Sequence, residues 1–112
     1  MGTGDSSELL PGTLDLLILK ALALAPMHGW AIAQRLEQLS RDALRVGQGS
    51  LYPALQRLEK TGSITSRWEE VEPGRELKLY RLTAKGRRQL AVEQSKWQEL
   101  AGAMARMLRP AE

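Results

Sequence analysis

Two residue types that often carry catalysis are scarce in this chain of 112 residues, which has no cysteine and a single histidine, His28. Disulfides, zinc–thiolate sites and thiol nucleophiles are therefore excluded, and any metal site or Ser–His pair would have to be assembled around His28. Groups suited to recognition are better represented. Gln48, Ser50, Tyr52, Gln56 and Arg57 follow one another within a short segment introduced by Gly47 and Gly49. A glutamine side chain can read adenine with two hydrogen bonds, and an arginine can read guanine or clamp a phosphate. Glycines at a helix N-terminus let the backbone approach an anion closely. The competing explanation is that every amphipathic helix turns polar side chains outward, whatever it binds.

A second cluster lies downstream. Between Arg75 and Arg88 stand Arg75, Lys78, Arg81, Lys85, Arg87 and Arg88 against the single acid Glu76, a local charge of +5 in a chain whose net charge is +3. Arg75 and Lys78 fall at or just after the tip of an expected hairpin, from which they would reach an adjacent minor groove or phosphate backbone. Glu69, Glu70 and Glu72 on the outgoing strand would repel phosphate, so a cross-strand ion-pair face is the alternative.

The elements that must hold these groups can be read from hydrophobic periodicity. Leu14, Leu17, Ile18, Ala21, Leu22 and Ala25 form the inward face of a first helix, capped by Thr13 and ended by Pro26. Ile32, Leu36 and Leu39 define a second helix from about His28 to Leu39, and Ser40 to Val46 connect it to a third. The third helix buries Leu51, Leu55 and Leu58, holds Pro53 in its first turn, and stops at Gly62. The period then shortens to two: Ile64, Ser66 and Trp68 alternate on one run and Leu77 and Leu79 on the next, joined by Pro73-Gly74 in a type II turn.

Thr83 caps a fourth helix running to about Leu108. At 1.5 Å per residue its roughly 25 residues extend about 37 Å, too far for the small preceding domain to cover. Its stripe of Leu90, Trp97, Leu100, Ala101, Met104 and Leu108 needs a partner, and a second copy related by a two-fold axis is the commonest one. Trp30 is expected in or half in the core, and Trp68 is expected to pin the hairpin to the body.

The expected fold class is mainly α with a small β-hairpin: a winged helix-turn-helix followed by a long C-terminal dimerisation helix. The expected division is a flexible tail at 1–8, a winged-helix DNA-binding domain at 9–82, and the dimerisation helix at 83–109. The N-terminus lacks the basic region of a signal peptide, and the longest apolar run, broken by Lys20, is far short of the ~20 residues that span a bilayer. A cytoplasmic protein that engages no membrane is expected.

Several stretches together resemble the PadR family of bacterial transcriptional regulators. They are Leu14-Asp-Leu-Leu-Ile-Leu, Met27-His-Gly-Trp-Ala-Ile, Gly49-Ser-Leu-Tyr-Pro-Ala-Leu-Gln-Arg-Leu-Glu and Tyr80-Arg-Leu-Thr-Ala-Lys-Gly. The resemblance covers about residues 9 to 109 and implies a homodimeric winged-helix repressor of the compact subgroup with a single C-terminal helix. By position, Ser50, Tyr52 and Arg57 match the family's recognition helix, and Arg75 and Lys78 its basic wing. Leu77 and Glu76 depart from a more basic wing, and Leu79 stands where an aromatic is common. Some members respond to planar aromatic effectors near the dimer interface, for which Trp97 is the candidate here.

The function expected is therefore sequence-specific binding of double-stranded promoter DNA by a homodimeric repressor, released by a small-molecule effector, with no catalytic residues, no metal and no cofactor. The alternative is a dimeric winged-helix protein-interaction module that binds no nucleic acid.

Overall fold

The computed structural model describes residues 12–110, so the tail expected at 1–8 lies outside the described residues. Seven elements follow in order: α1 (Thr13–Leu24), β1 (Met27–His28), α2 (Gly29–Leu39), α3 (Gln48–Lys60), β2 (Ile64–Glu72), β3 (Arg75–Leu82) and α4 (Ala84–Met107). Among the described residues no helix is long and apolar enough to cross a membrane.

The core is aliphatic, as a chain without phenylalanine requires. Ile18 and Leu19 of α1, Ile32 of α2, Leu51 and Leu55 of α3 and Ile64 of β2 are fully buried, each side chain contributing about 1.5–3 kcal/mol relative to exposure. Leu51, Ala54, Leu55 and Leu58 form one continuous buried face of α3, which fixes that helix with its opposite, polar face outward. Leu36 is buried but Leu39, expected inward, is exposed. It is the last residue of α2, where the chain turns away through left-handed Arg41 and Asp42 and the body no longer covers it.

Two local expectations are corrected at the helix starts. Gly12, not Thr13, occupies the cap of α1; its left-handed backbone turns the chain into the helix and its carbonyl accepts from Leu16 N–H. In α3 the helix begins at Gln48, so Pro53 sits in the second turn rather than the first. Lacking an N–H, it leaves the Gly49 carbonyl without its helical partner. That carbonyl lies on the exposed side, where water can satisfy it.

The expected hairpin is part of a three-stranded antiparallel sheet of order β1-β3-β2. Ala25 is extended, as a residue before proline prefers, and the chain leaving Pro26 pairs Met27 with Tyr80 and His28 with Leu79. In the β2–β3 ladder Ile64 opposes Leu82, Ser66 opposes Tyr80 and Trp68 opposes Lys78, so these six side chains share one face. Near the base this face joins the core through Ile64 and Tyr80. Burial pushes the Tyr80 hydroxyl above the usual phenol range, and the nearby Glu59 and Tyr52 push it the same way. At about 3.3 Å per residue the strands extend nearly 30 Å, well beyond the body. Gly74 supplies the positive φ that the turn after Pro73 needs.

The joint between the wing and α4 explains the Tyr80-to-Gly86 motif. Thr83 Oγ1 accepts from Gly86 N–H at 3.0 Å and donates toward the carbonyls of Gly62 and Ser63 at 2.7 and 2.9 Å. Thr83 N–H bonds the Ser63 carbonyl, and Ser63, fully buried, bonds Gln89. Gly86 is buried against this carbonyl, and a Cβ there would lie 2.1 Å from Ser63 O. Leu90, expected on the dimer seam, packs against the core of its own chain, because the first two turns of α4 cross the body. Beyond them Trp97, Leu100, Met104 and Leu108 are exposed.

Candidate nucleic-acid interface

The outward face of α3 is positioned by its buried leucines. Gln48, Tyr52, Gln56 and Arg57 are exposed and Ser50 is half-buried. The face has two flanks. Tyr52 and Gln56 turn toward the wing and, with Lys78, line a cleft of about 330 Å³ between α2, α3 and the wing strands β2 and β3. Arg57 turns the other way, its guanidinium donating to Asp15 of α1 at 2.8 Å. The residues expected to bind together are therefore spread over both edges of one helix rather than gathered at one point.

The three basic residues expected at this surface each have an acid close by. Arg57 pairs with Asp15, Arg75 pairs with Glu72 at 3.2 Å, and Lys78 Nζ lies 3.9 Å from Glu59. Arg57 and Arg75 are more than half exposed, and exposed pairs contribute about 0–1 kcal/mol. Such pairs orient the cations without locking them, so a phosphate with its concentrated charge can take either one over. Lys78 has a longer contact with its acid and a second neighbour, its ammonium standing 5.6 Å from the centre of the Trp68 ring. The rest of the +5 stretch disperses: Lys85 bonds the Thr61 carbonyl, while Arg87 and Arg88 lie exposed on α4.

Tyr52 is seated against α2. A Cβ on Gly29 would come within 2.8 Å of the Tyr52 hydroxyl and 3.0 Å of its ring, so the glycine creates the space in which the ring lies. Gly29 is the first residue of α2, where alanine gains less than the ~1 kcal/mol of a helix interior, and the atoms it meets belong to the far end of a side chain. Gly29→Ala is therefore expected to leave the urea midpoint unchanged or slightly raised while displacing Tyr52. The check is nucleic-acid affinity measured beside stability, with only the former falling.

Two tryptophans depart from expectation. Trp30, expected in or half in the core, is 52 % exposed, and Trp68, expected to pin the hairpin, is 63 % exposed. Trp68 lies on the body-facing side of β2 but beyond the body's edge. His28, which precedes α2, bonds Glu69 on β2 at 2.9 Å and makes that tie between body and wing instead. Arg41 and Arg45, in the turn leading to α3, are also exposed; no periodicity marks a turn residue, and sequence reasoning passed over them.

The stripe on α4 begins where that helix leaves the body. Trp97 and Leu100 border a shallow cavity of about 220 Å³ against Gly12, Thr13 and Leu16 of α1, and Ala101, Met104 and Leu108 continue outward, exposed.

Comparison with known proteins agrees with this architecture. The Transcriptional regulator PadR-like family matches residues 18–92. Transcriptional regulator Rv3488 of Mycobacterium tuberculosis is 40% identical over 94 residues, covering 84% of each chain. A PadR family transcription regulator from Clostridium difficile R20291 superposes with a TM-score of 0.75 at 27% identity, over 88% of this chain and 100% of that one. A transcriptional regulator from Clostridium thermocellum shares the fold with a TM-score of 0.80 at 23% identity, over 88% of this chain and 95% of that one.

Proposed function

The chain belongs to the PadR family of transcriptional regulators, a family of regulators rather than enzymes, and from that premise we propose that it is a homodimeric, sequence-specific DNA-binding repressor working in the cytoplasm. Residues 9–82 form the DNA-binding unit and residues 83–109 the dimerisation helix. The observation that carries this reading is the polar face of α3, held outward by four buried residues on its other side and flanked by a wing.

On this reading α3 enters the major groove N-terminus first. Gln48, Ser50, Tyr52 and Gln56 meet base edges and sugar, and Arg57 exchanges Asp15 for a phosphate. Arg75 and Lys78 reach the flanking backbone from the wing. Trp97, Leu100, Ala101, Met104 and Leu108 pack against the same residues of a second copy. That spaces two α3 helices for half-sites about one DNA turn apart. A planar aromatic effector bound beside Trp97 would change this spacing and release the operator.

Salt dependence tests the reading. Affinity for a fragment from upstream of the chain's own gene is expected to fall steeply between ~50 and ~200 mM salt. Arg57→Ala and Lys78→Ala should each weaken the complex and reduce the salt slope by about one. Arg57→Ala should change stability by less than about 1 kcal/mol, because its pair is exposed. A salt-independent complex, or unchanged slopes in both variants, contradicts the phosphate contacts.

A further inference from the structure

The chain has three tryptophans, two tyrosines and no phenylalanine, and four of these five aromatics border one cleft. Trp30 of α2, Tyr52 of α3, Trp68 of β2 and Tyr80 of β3 converge there from four different elements. Its volume of about 330 Å³ falls at the small end of ligand sites. Core packing does not explain the gathering, because Trp30 and Trp68 remain more than half exposed although a tryptophan is the costliest side chain to leave in water.

The charges around the cleft indicate what would fill it. The Trp68 ring already has a cation near it, the Lys78 ammonium. One carboxylate, Glu59, stands 3.9 Å from this lysine and would remain to face a cation that took its place. Aromatic faces attract cations through their quadrupole, tryptophan most strongly. The lysine is on a flexible stem and its contact with Glu59 is long, so it can swing away.

We propose that this cleft is a binding site for a small planar aromatic cation, which lies against Trp30 and Trp68 and takes the place now held by the Lys78 ammonium. It is separate from the cavity at Trp97. Occupancy would cover Tyr52 and Gln56, so the ligand and DNA exclude one another directly; this consequence rests on the α3 contacts proposed above.

The test is calorimetric titration of the full-length, DNA-free protein with N-methylquinolinium, and with naphthoate as an anion of similar shape. N-methylquinolinium should bind saturably with one molecule per chain and in preference to naphthoate. Trp30→Ala and Trp68→Ala, both at exposed positions, should weaken it roughly tenfold each. Lys78→Ala should tighten it, because a competing cation is removed. Preference for naphthoate, weakening by Lys78→Ala, or indifference to both tryptophan substitutions would overturn the site. N-methylquinolinium at saturation should then dissociate an operator fragment from the wild type, and Trp68→Ala should need roughly ten times more ligand for the same release. A complex that survives saturation overturns the exclusion alone, and failure to bind DNA at all leaves the titration result standing.

Discussion

Gly86→Ala is expected to destabilise the chain by about 3 kcal/mol, although alanine is the better helix former by about 1 kcal/mol. The added Cβ would lie 2.1 Å from the Ser63 carbonyl oxygen and 2.6 Å from Leu82 Cδ1. The first of these is backbone, so no change of rotamer relieves the overlap. The N-terminus of α4 must move away, and with it go the Thr83 bonds to Gly62 and Ser63 and the cap on Gly86 N–H. Overpacking costs about 1–3 kcal/mol and a lost cap about 1, which together exceed the propensity gain. For a domain of this size the Tm should fall by about 10 °C or more. Denaturant midpoints measured beside Ala84→Gly, which alters propensity at an exposed position of the same turn, separate the overlap from helix propensity.

The second large effect concerns assembly. Met104→Glu should leave the fold of one chain within about 0.5 kcal/mol of wild type, because Met104 is half exposed there. In the proposed dimer the same carboxylate is buried against its own copy. Self-association should weaken by more than 2 kcal/mol, roughly thirtyfold. Affinity for a two-half-site operator should fall about a hundredfold, since the second half-site contact ceases to be intramolecular. Affinity for a single half-site should stay as it was. Sedimentation velocity beside titration of both DNA fragments reads all three quantities. A dimer undisturbed by the substitution would place the contact elsewhere than on α4.

These expectations depend on features of unequal legibility. The leucine stripe of α3 was plain because one face is buried and the other is wet, which prints a period of 3.6 onto the sequence. Pro73-Gly74 marked the turn because only a glycine fits its positive φ cheaply. β1 left no such mark, since two residues are too few to show a period and the pairing depends on β3, fifty residues away. Alternation in the wing located the strands but not how far along them the body reaches. Ile64 and Trp68 share a face and have opposite burial for that reason.

The recognition face shows the same division. Gln48, Tyr52, Gln56 and Arg57 could be assigned to the outside of α3 from spacing alone. That Arg57 turns to Asp15, forty-two positions earlier, and that Lys78 turns back toward Trp68 and Glu59, are tertiary facts carried by no local pattern. Leu90 fits the α4 stripe by spacing, yet it is the tertiary position of that helix's first turns that brings it to its own core.

The central claim is that the outward face of α3 reads DNA sequence, and selection of bound sites from a pool of random duplexes measures this most directly. The wild-type protein should enrich an inverted repeat with half-sites about one turn apart, and Gln56→Ala should relax the preference at one position in each half-site while keeping the rest. Recovery of a pool indistinguishable from the input at low salt would contradict the claim, as would a Gln56→Ala selection identical at every position to that of the wild type.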